Sequence, residues 1–376
     1  MTSPLHLPLS SRVSSHIRGH SGAVTRALAV GTMAVSLTLL AGCGHDSPTK
    51  AAKSPSPSAA SSSPASASPT TSASPSPSPA ATPTIKPASN LDALKATGDY
   101  GKPPKLTFKH PWAIDKTQSE VLKKGNGAVV TADSTVAVNY SAWDGRSGKE
   151  FDSSYDKKFK HPQLAYFPLN GVIPGFKKGL QGHHAGDRVL IAMTGKDGYD
   201  SAGGQSSAGI KVGDTLIFVA DIASTTLPAA TGPTVPPKAG LPTVTMSNDT
   251  PKVTIPSTPA PTKTTVQPLI KGTGTAVGAN DLVTTRSITV LWKGGKVVDN
   301  SWKTPFAPQL DPQTGQVTPT RLQAMQQAMV GQTVGSRLLI VFPPGKGYPN
   351  GDRSQGISKS DTVVMVVDIL FTQPQQ

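Results

Sequence analysis

The chain repeats itself over a long period. Arg188, an apolar strand and the turn Gly195-Lys196-Asp197-Gly198-Tyr199 return as Arg337, an apolar strand and Gly345-Lys346-Gly347-Tyr348, so that both Arg188 to Arg337 and Tyr199 to Tyr348 are 149 residues apart. Asp152 recurs as Asp299, and Asp214-Thr215-Leu216-Ile217 as Asp361-Thr362-Val363-Val364, each 147 residues on. A period of this length marks duplicated domains and excludes a solenoid of short repeats. One fold must therefore serve twice. Residues 225–241, rich in Pro, Thr and Ala, form the seam, which places modules at 91–224 and 242–376 with a linker at 225–241 between them.

The first 90 residues carry no such pattern. Arg12, Arg18 and Arg26 precede an apolar run over 27–40, too short to span a bilayer comfortably, which ends in Leu40-Ala41-Gly42-Cys43. Small residues before a cleavage point mark a secretory signal peptide, here 1–42. The cysteine at that point resembles the lipobox of bacterial lipoproteins. The resemblance implies cleavage before Cys43 and a lipid on its sulfur, each buried CH₂ of which adds about 0.8 kcal/mol of membrane affinity. Cys43 is the one cysteine of the chain, so no internal disulfide is possible. Residues 43–90 are read as a stalk, because 47–90 is almost wholly Ser, Pro, Ala and Thr, with Ile85 the one large apolar side chain. Such a segment cannot bury enough surface to offset the entropy of ordering. At about 3.1 Å per residue in the extended form its prolines favour, it reaches on the order of 100 Å. The expected location is the extracytoplasmic face of the cell membrane, with a lipid anchor on Cys43. A net charge of +14 then favours anionic lipid or wall polymers as neighbours. Nucleic acid is excluded as a partner, since no basic run is interleaved with aromatics and the export signal removes the opportunity.

Within each copy the signals are mainly β. Residues 136–140, 187–193 and 215–222 read as strands, separated by Gly, Asp and Asn turns. A short helix is expected around 176–181. An antiparallel sheet must bury a face, and one helix laid across it does so, which makes the class α+β.

The order of blocks in the first copy then becomes specific. Tyr140 is followed by Gly148-Lys149-Glu150-Phe151-Asp152-Ser153-Ser154, then Phe167-Pro168-Leu169, then Val172-Ile173-Pro174-Gly175-Phe176-Lys177-Lys178-Gly179-Leu180, and finally Tyr199, Ile210 and Phe218. Over about residues 123–224 this resembles the FKBP-type peptidyl-prolyl isomerases, immunophilins that bind macrolide immunosuppressants. The resemblance implies two FKBP-like modules, each a five-stranded antiparallel sheet wrapped round one short helix, with a pocket between helix and sheet. It implies a pocket wall of Tyr140, Phe151, Asp152, Val172, Ile173, Tyr199, Ile210 and Phe218. Phe176 stands at the floor where the family usually has Trp. The basic neighbour of the pocket aspartate falls near Lys157, and a further aromatic is expected where Ala165 or Tyr166 stands. No cofactor and no metal are implied. Macrolide ligands and proline-containing polypeptides are the implied binders, and a monomer is the default.

The chemistry fits that residue set. Isomerisation about X–Pro breaks no σ bond, and the barrier is the amide resonance, about 18–20 kcal/mol. A dry aromatic pocket favours the twisted, less polar amide over the planar ground state, so differential binding replaces acid–base work. In this scheme the Ile173 N–H and the Tyr199 hydroxyl hold substrate carbonyls, and Asp152 accepts from Tyr140. Taken singly, Phe151 and Phe218 are ordinary core aromatics and Asp152 a turn cap; only their joint order carries the reading. His183-His184 are read as solvated, since sequence neighbours do not face one ion together, and Lys177-Lys178 as a solvent face.

The second copy departs from this pattern. Asp299, Tyr348 and Ile357 remain, but Phe151 becomes Val298 and Phe218 becomes Met365. Val172, Ile173 and Phe176 become Arg321, Leu322 and Met325. The partner of Tyr140 is either Trp292 or Ser287. The expected function is a peptidyl-prolyl cis-trans isomerase of the first module, assisting the folding of exported proteins at the cell surface. The alternative is a non-catalytic, membrane-anchored chaperone or adaptor that binds client chains.

Overall fold

The computed structural model describes residues 85–155, 164–310, 317–318 and 322–375. The signal segment, Cys43, the stalk to residue 84, Lys157 and Arg321 lie outside them. The first module opens with a short antiparallel pair, β1 (Lys95–Thr97) and β2 (Lys105–Thr107). Its main sheet comprises β3 (Gln118–Lys123), β4 (Thr135–Asp144), β5 (Glu150–Ser153), β6 (Ala165–Pro168), β7 (Arg188–Met193) and β8 (Leu216–Thr225), with helix α1 (Pro174–Leu180) between β6 and β7. The strand order is β3-β7-β8-β4-β5, and β6 also pairs with β4, all antiparallel. The sheet thus has six strands where five are expected from sequence. The reason is the length of β4, whose outer edge pairs with β6 over Thr135 to Val138 and with β5 over Ser141 to Trp143.

The central strands read as unbroken apolar runs because both faces of the sheet are covered. Alternate residues serve two cores, as the period of two requires. Val189, Ile191, Met193, Leu216, Phe218, Ala220 and Ile222 face α1, together with Phe176 and Leu180 of the helix. Leu190, Ala192, Ile217 and Val219 face the other way, onto Leu91, Leu94, Trp112 and Ile114. That second cover begins inside the segment read as stalk: the Ala88 N–H donates to Ala113 O at 2.8 Å, and Asp115 N–H to Ala88 O at 2.9 Å. Pro174 occupies the first turn of α1, where its missing N–H costs nothing. Gly175 and Gly179 let the helix settle onto β7. A Cβ at Gly179 would lie 2.4 Å from Ile191 Cγ2, and one at Gly175 2.6 Å from Met193 Cβ.

The second module repeats the plan. A hairpin of β9 (Thr243–Ser247) and β10 (Thr250–Thr254) precedes β11 (Thr265–Ile270), β12 (Leu282–Leu291) and β13 (Val297–Asn300). A two-residue-strand pair, β14 (Gln309–Leu310) and β15 (Val317–Thr318), leads to α2 (Gln323–Met329), β16 (Arg337–Phe342) and β17 (Val363–Gln373). The sheet order β11-β16-β17-β12-β13 matches that of the first module strand for strand. Asn248 and Asp249 turn the hairpin at φ 48° and 57°, the left-handed pair that a two-residue loop requires. The seam is not a free tether. Leu227 N–H donates to Leu370 O at 3.0 Å, Thr231 N–H to Gly335 O at 2.8 Å and Val235 N–H to Leu269 O at 2.9 Å, and Leu241 is buried in the second module's core.

Each module buries an aspartate paired with an arginine in register across two central strands, and in the second module Arg286 joins Arg337 on Asp368. Arg188 donates to Asp221 through Nε at 2.6 Å and Nη2 at 2.8 Å. Asp221 also accepts from the Tyr155 hydroxyl at 2.9 Å and from Gly101 N–H at 2.6 Å. Breaking a buried pair leaves an uncompensated charge and costs about 3–5 kcal/mol. Asp221→Ala should therefore lower stability by about that amount in urea unfolding; a loss within the range of a surface substitution would refute the assignment.

Candidate active site

The first-module pocket is built on β4, β5, β6, β8 and α1. Tyr140 on β4 points to the helix face and donates its hydroxyl to Asp152 Oδ2 at 2.7 Å. Asp152 on β5 is held by Ser153 N–H, which donates to Oδ1 at 2.9 Å. Four rings close on one another: Phe176–Phe218 at 5.2 Å between centroids, Phe167–Phe176 at 5.6 Å, Tyr140–Phe167 at 5.9 Å and Tyr140–Phe218 at 6.0 Å. Phe151 stands edge-on to Phe218 at 5.9 Å and 86°. Pairs at these separations contribute about 0.5–1.5 kcal/mol beyond their buried area. Val172 and Ile173 complete the lining with Tyr140, Phe167, Phe176 and Phe218, and the free space among them is about 10 Å³. The site is thus a shallow aromatic dish.

Tyr199 and Ile210 sit on the long loop between β7 and β8, buried at 9% and 4% exposure, in the same core cluster as Phe218. Among the described residues, the Tyr199 hydroxyl and the Ile173 N–H donate no hydrogen bond. Burial, reinforced by the negative charge of Asp152, pushes Tyr199 up to about 12. Tyr140 is raised further by its deeper burial and by the same carboxylate. Both therefore remain neutral donors at physiological pH.

The structure thus brings together all nine residues that sequence groups in the wall and floor, and adds a tenth, Phe167. Strand alternation held the signal for it: Ala165 and Phe167 of β6 share the core face, so Tyr166 must face away. Tyr166 instead meets Phe371 of the second module edge-on at 6.2 Å. The position where a further wall aromatic is expected is filled by Ala165. Lys178 is exposed and bridges to Asp197 at 2.7 Å. His183 is not solvated as sequence adjacency suggests. It is half-buried, lies 2.9 Å from Ser119 Oγ and 3.7 Å from Asp187, and its imidazole is held below its usual range chiefly by burial. Among the described residues, no three His, Cys, Asp or Glu side chains converge on a possible metal site.

Register decides the partner of Tyr140 in the second module. Tyr140 lies opposite Ala220 as Ser287 lies opposite Val367, and Ser154 N–H donates to Tyr140 O as Ser301 N–H donates to Ser287 O, each at 2.9 Å. Ser287 therefore takes that place. Trp292 corresponds to Gly145, since their N–H groups donate to the equivalent Thr362 and Thr215 carbonyls. Around Ser287 the second pocket keeps Tyr348, raised to about 12 by burial and then by Asp299 and Asp352, but its other walls are Val298, Leu322, Met325, Ile357 and Met365.

A family profile described as FKBP-type peptidyl-prolyl cis-trans isomerase matches residues 127–222, which lie in the first module. A probable FK506-binding protein of Corynebacterium glutamicum is 35% identical over 100 residues, covering 27% of this chain and 79% of that protein. An FK506-binding protein of Streptomyces anulatus is 31% identical over 32% of this chain and 88% of that protein. FkpA of Escherichia coli is 33% identical, but the match spans only 34% of its length.

The raised tyrosines have a measurable signature. A tyrosine whose folded pKa lies above its unfolded value of 10.0 adds stability that is complete below that value and fades as pH rises through the folded one. Ultraviolet titration should accordingly show Tyr199 ionising near 12. Tyr199→Phe should leave the phenolate rise near 10 undiminished; a smaller rise there would contradict this placement.

Proposed function

Because this chain belongs to the FKBP-type peptidyl-prolyl cis-trans isomerase family, we propose that its first module isomerises X–Pro bonds of exported polypeptides by stabilising the twisted amide on the aromatic dish. The observation that carries the reading is the ring cluster of Tyr140, Phe167, Phe176 and Phe218, with two donors beside it, Ile173 N–H and Tyr199 Oη, that meet no acceptor among the described residues.

In this reading the prolyl ring lies against Phe176 and Phe218, walled by Val172, Phe151 and Ile210. The Ile173 N–H and the Tyr199 hydroxyl each take a substrate carbonyl and so hold the segments on either side of the bond. Rotation removes amide resonance and makes the carbonyl less polar, and an apolar surface favours that state over the planar one. Asp152, fixed by Tyr140 and Ser153, contributes a preorganised field beside the rotating carbonyl. No proton moves and no group is transferred, so the reaction draws on none of the ionisable chemistry the pocket lacks. The FK506-binding names of the relatives support a macrolide as a competitor for the same surface. The chain spans about a third of FkpA, so the folding role outside the cell is inferred from the export signal together with this chemistry. A diacyl lipid on Cys43 would hold the module at the outer face of the membrane.

The second module is proposed as a degenerate copy. Replacing Tyr140 by Ser287, Phe218 by Met365 and Phe176 by Met325 removes the rings and the hydroxyl that positions the aspartate. Flexible Met side chains fill irregular gaps and suit binding more than preorganisation.

A protease-coupled assay of the full chain on a Leu-Pro peptide tests this. Asp152→Leu and Phe218→Ala should each lower kcat/KM by about tenfold or more, a barrier rise of about 1.4 kcal/mol, while Met365→Ala leaves the rate unchanged. A macrolide should block the wild-type rate. Activity that survives both first-module variants, or that falls with Met365→Ala, would move turnover out of this pocket.

A further inference from the structure

The two sheets end on equivalent edge strands, of which, among the described residues, only one is covered. β3 and β11 each lie outermost and pair with β7 and β16 through the same bulge, so that Val121 and Lys123 correspond to Pro268 and Ile270. In the second module the chain's own seam is laid along that edge, and Thr234 bridges Ile270 in the antiparallel sense. Three hydrogen bonds hold it there. Thr231 N–H donates to Gly335 O at 2.8 Å, Lys271 N–H to Pro233 O at 2.9 Å, and Val235 N–H to Leu269 O at 2.9 Å. Every residue of β11 is half-buried, whereas β3 is exposed at each position after Gln118.

The same docking groups recur in the first module. Gly186, Leu122 and Lys124 stand where Gly335, Leu269 and Lys271 stand. The match at the glycines is close: Gly186 N–H donates to Ile222 O at 2.7 Å and Gly335 N–H to Ile369 O at 2.8 Å, with φ of 94° and 93°. A Cβ at Gly335 would meet Thr231 O of the seam at 2.8 Å, while one at Gly186 has Gly125 and Asn126 as its nearest neighbours. Among the described residues, no hydrogen bond outside the β3–β7 ladder reaches Leu122 O, Lys124 N–H or Gly186 O. Val121 and Leu122 are 39% and 38% exposed, and Lys123 and Lys124 are exposed beside them. A strand edge in this condition is a template for a further strand.

From this we infer that the β3 edge takes an extended segment of a client polypeptide as an added antiparallel strand, with Gly186 O, Lys124 N–H and Leu122 O making the three bonds that hold the seam in the second module. The seam is the molecule's own example of such a segment, and its sequence, Thr231-Gly232-Pro233-Thr234-Val235, shows what fits. Gly232 passes so near β11 that a Cβ there would run into Lys271 O, so a Gly-Pro step is the chemistry this edge selects. A second copy of β3 is disfavoured as the occupant, because the bulge and the charges of Lys123 and Lys124 are features that keep like edges apart. Backbone pairing supplies the hold, so the site does not depend on turnover in the aromatic dish.

Calorimetric titration of the full chain with acetyl-Thr-Gly-Pro-Thr-Val-amide tests the inference, and the peptide should bind saturably. Two altered peptides, one with N-methylvaline, which lacks the donor for Leu122 O, and one with valine in place of glycine, should each bind about tenfold more weakly. Lys124→Pro removes the N–H donor of the edge and should weaken the parent peptide about tenfold, while isomerisation of a Leu-Pro peptide stays at the wild-type rate. The altered peptides leave the protein untouched and so decide the matter if Lys124→Pro fails to fold. Asp152→Leu should leave the affinity of the parent peptide unchanged, which separates the edge from the dish. No saturable binding, full affinity for either altered peptide or in folded Lys124→Pro, or loss of binding in Asp152→Leu would overturn the site. So would a dimer in sedimentation that the peptide dissociates, since a second copy would then hold the edge.

Discussion

The ion pair between Arg188 and Asp221 sits where the first module's separate parts meet. It ties β7 to β8, receives the chain segment around Gly98 to Lys102, and takes the Tyr155 hydroxyl from the end of β5's turn. A buried pair of this kind adds little net stability against an apolar alternative, but it tolerates only one arrangement of the strands. A slip of one residue would turn both charges onto the opposite face, among Phe218 and Leu180. Its recurrence as Arg337 and Asp368 fixes the second sheet in the same register.

That register also produces the pocket. Asp221 faces the N-terminal cover, so its neighbours Ala220 and Phe218 alternate onto the helix side, opposite Tyr140 and Ala142 of β4. The same pairing that neutralises Arg188 therefore sets Phe218 beside Tyr140. Glycine at two helix positions lets Phe176 come down onto β7 and join them. In the second module the frame survives, with Met365 and Met325 in the corresponding places. Fold and pocket chemistry are thus separable: the ion pair and the alternation hold the sheet, and a handful of rings decide what its concave face can do.

Much of this was legible in the sequence, for reasons that differ by element. β7 and β8 stand out as apolar runs because both faces are buried, and the spacing from Tyr140 to Phe218 carries the pocket. Phe167 escaped grouping with the site although its alternation with Tyr166 was visible, because expectation fell on the residue before it. The second cover, formed by Leu91, Leu94, Trp112 and Ile114, follows no helical or strand period, so a Pro-rich approach hid it. The position of His183 beside Ser119 depends on β3 crossing to β7, a pairing far apart in the chain. Whether Ser287 or Trp292 matches Tyr140 was likewise a question of ladder register, which residue spacing alone leaves open.

The hydrogen-bonded seam has a consequence for how the molecule wears. Residues 226–235 donate to Leu370, Gly335 and Leu269 rather than spanning open solvent, and Leu241 is buried beyond them. A protease needs several residues of extended, unpaired backbone in its cleft, and this stretch offers few. Nicking there would first have to peel the seam from the edge of the second sheet. The seam should accordingly resist nicking over 226–235, and cleavage between the modules should fall first on the exposed stretch 236–240, which donates no backbone hydrogen bond among the described residues.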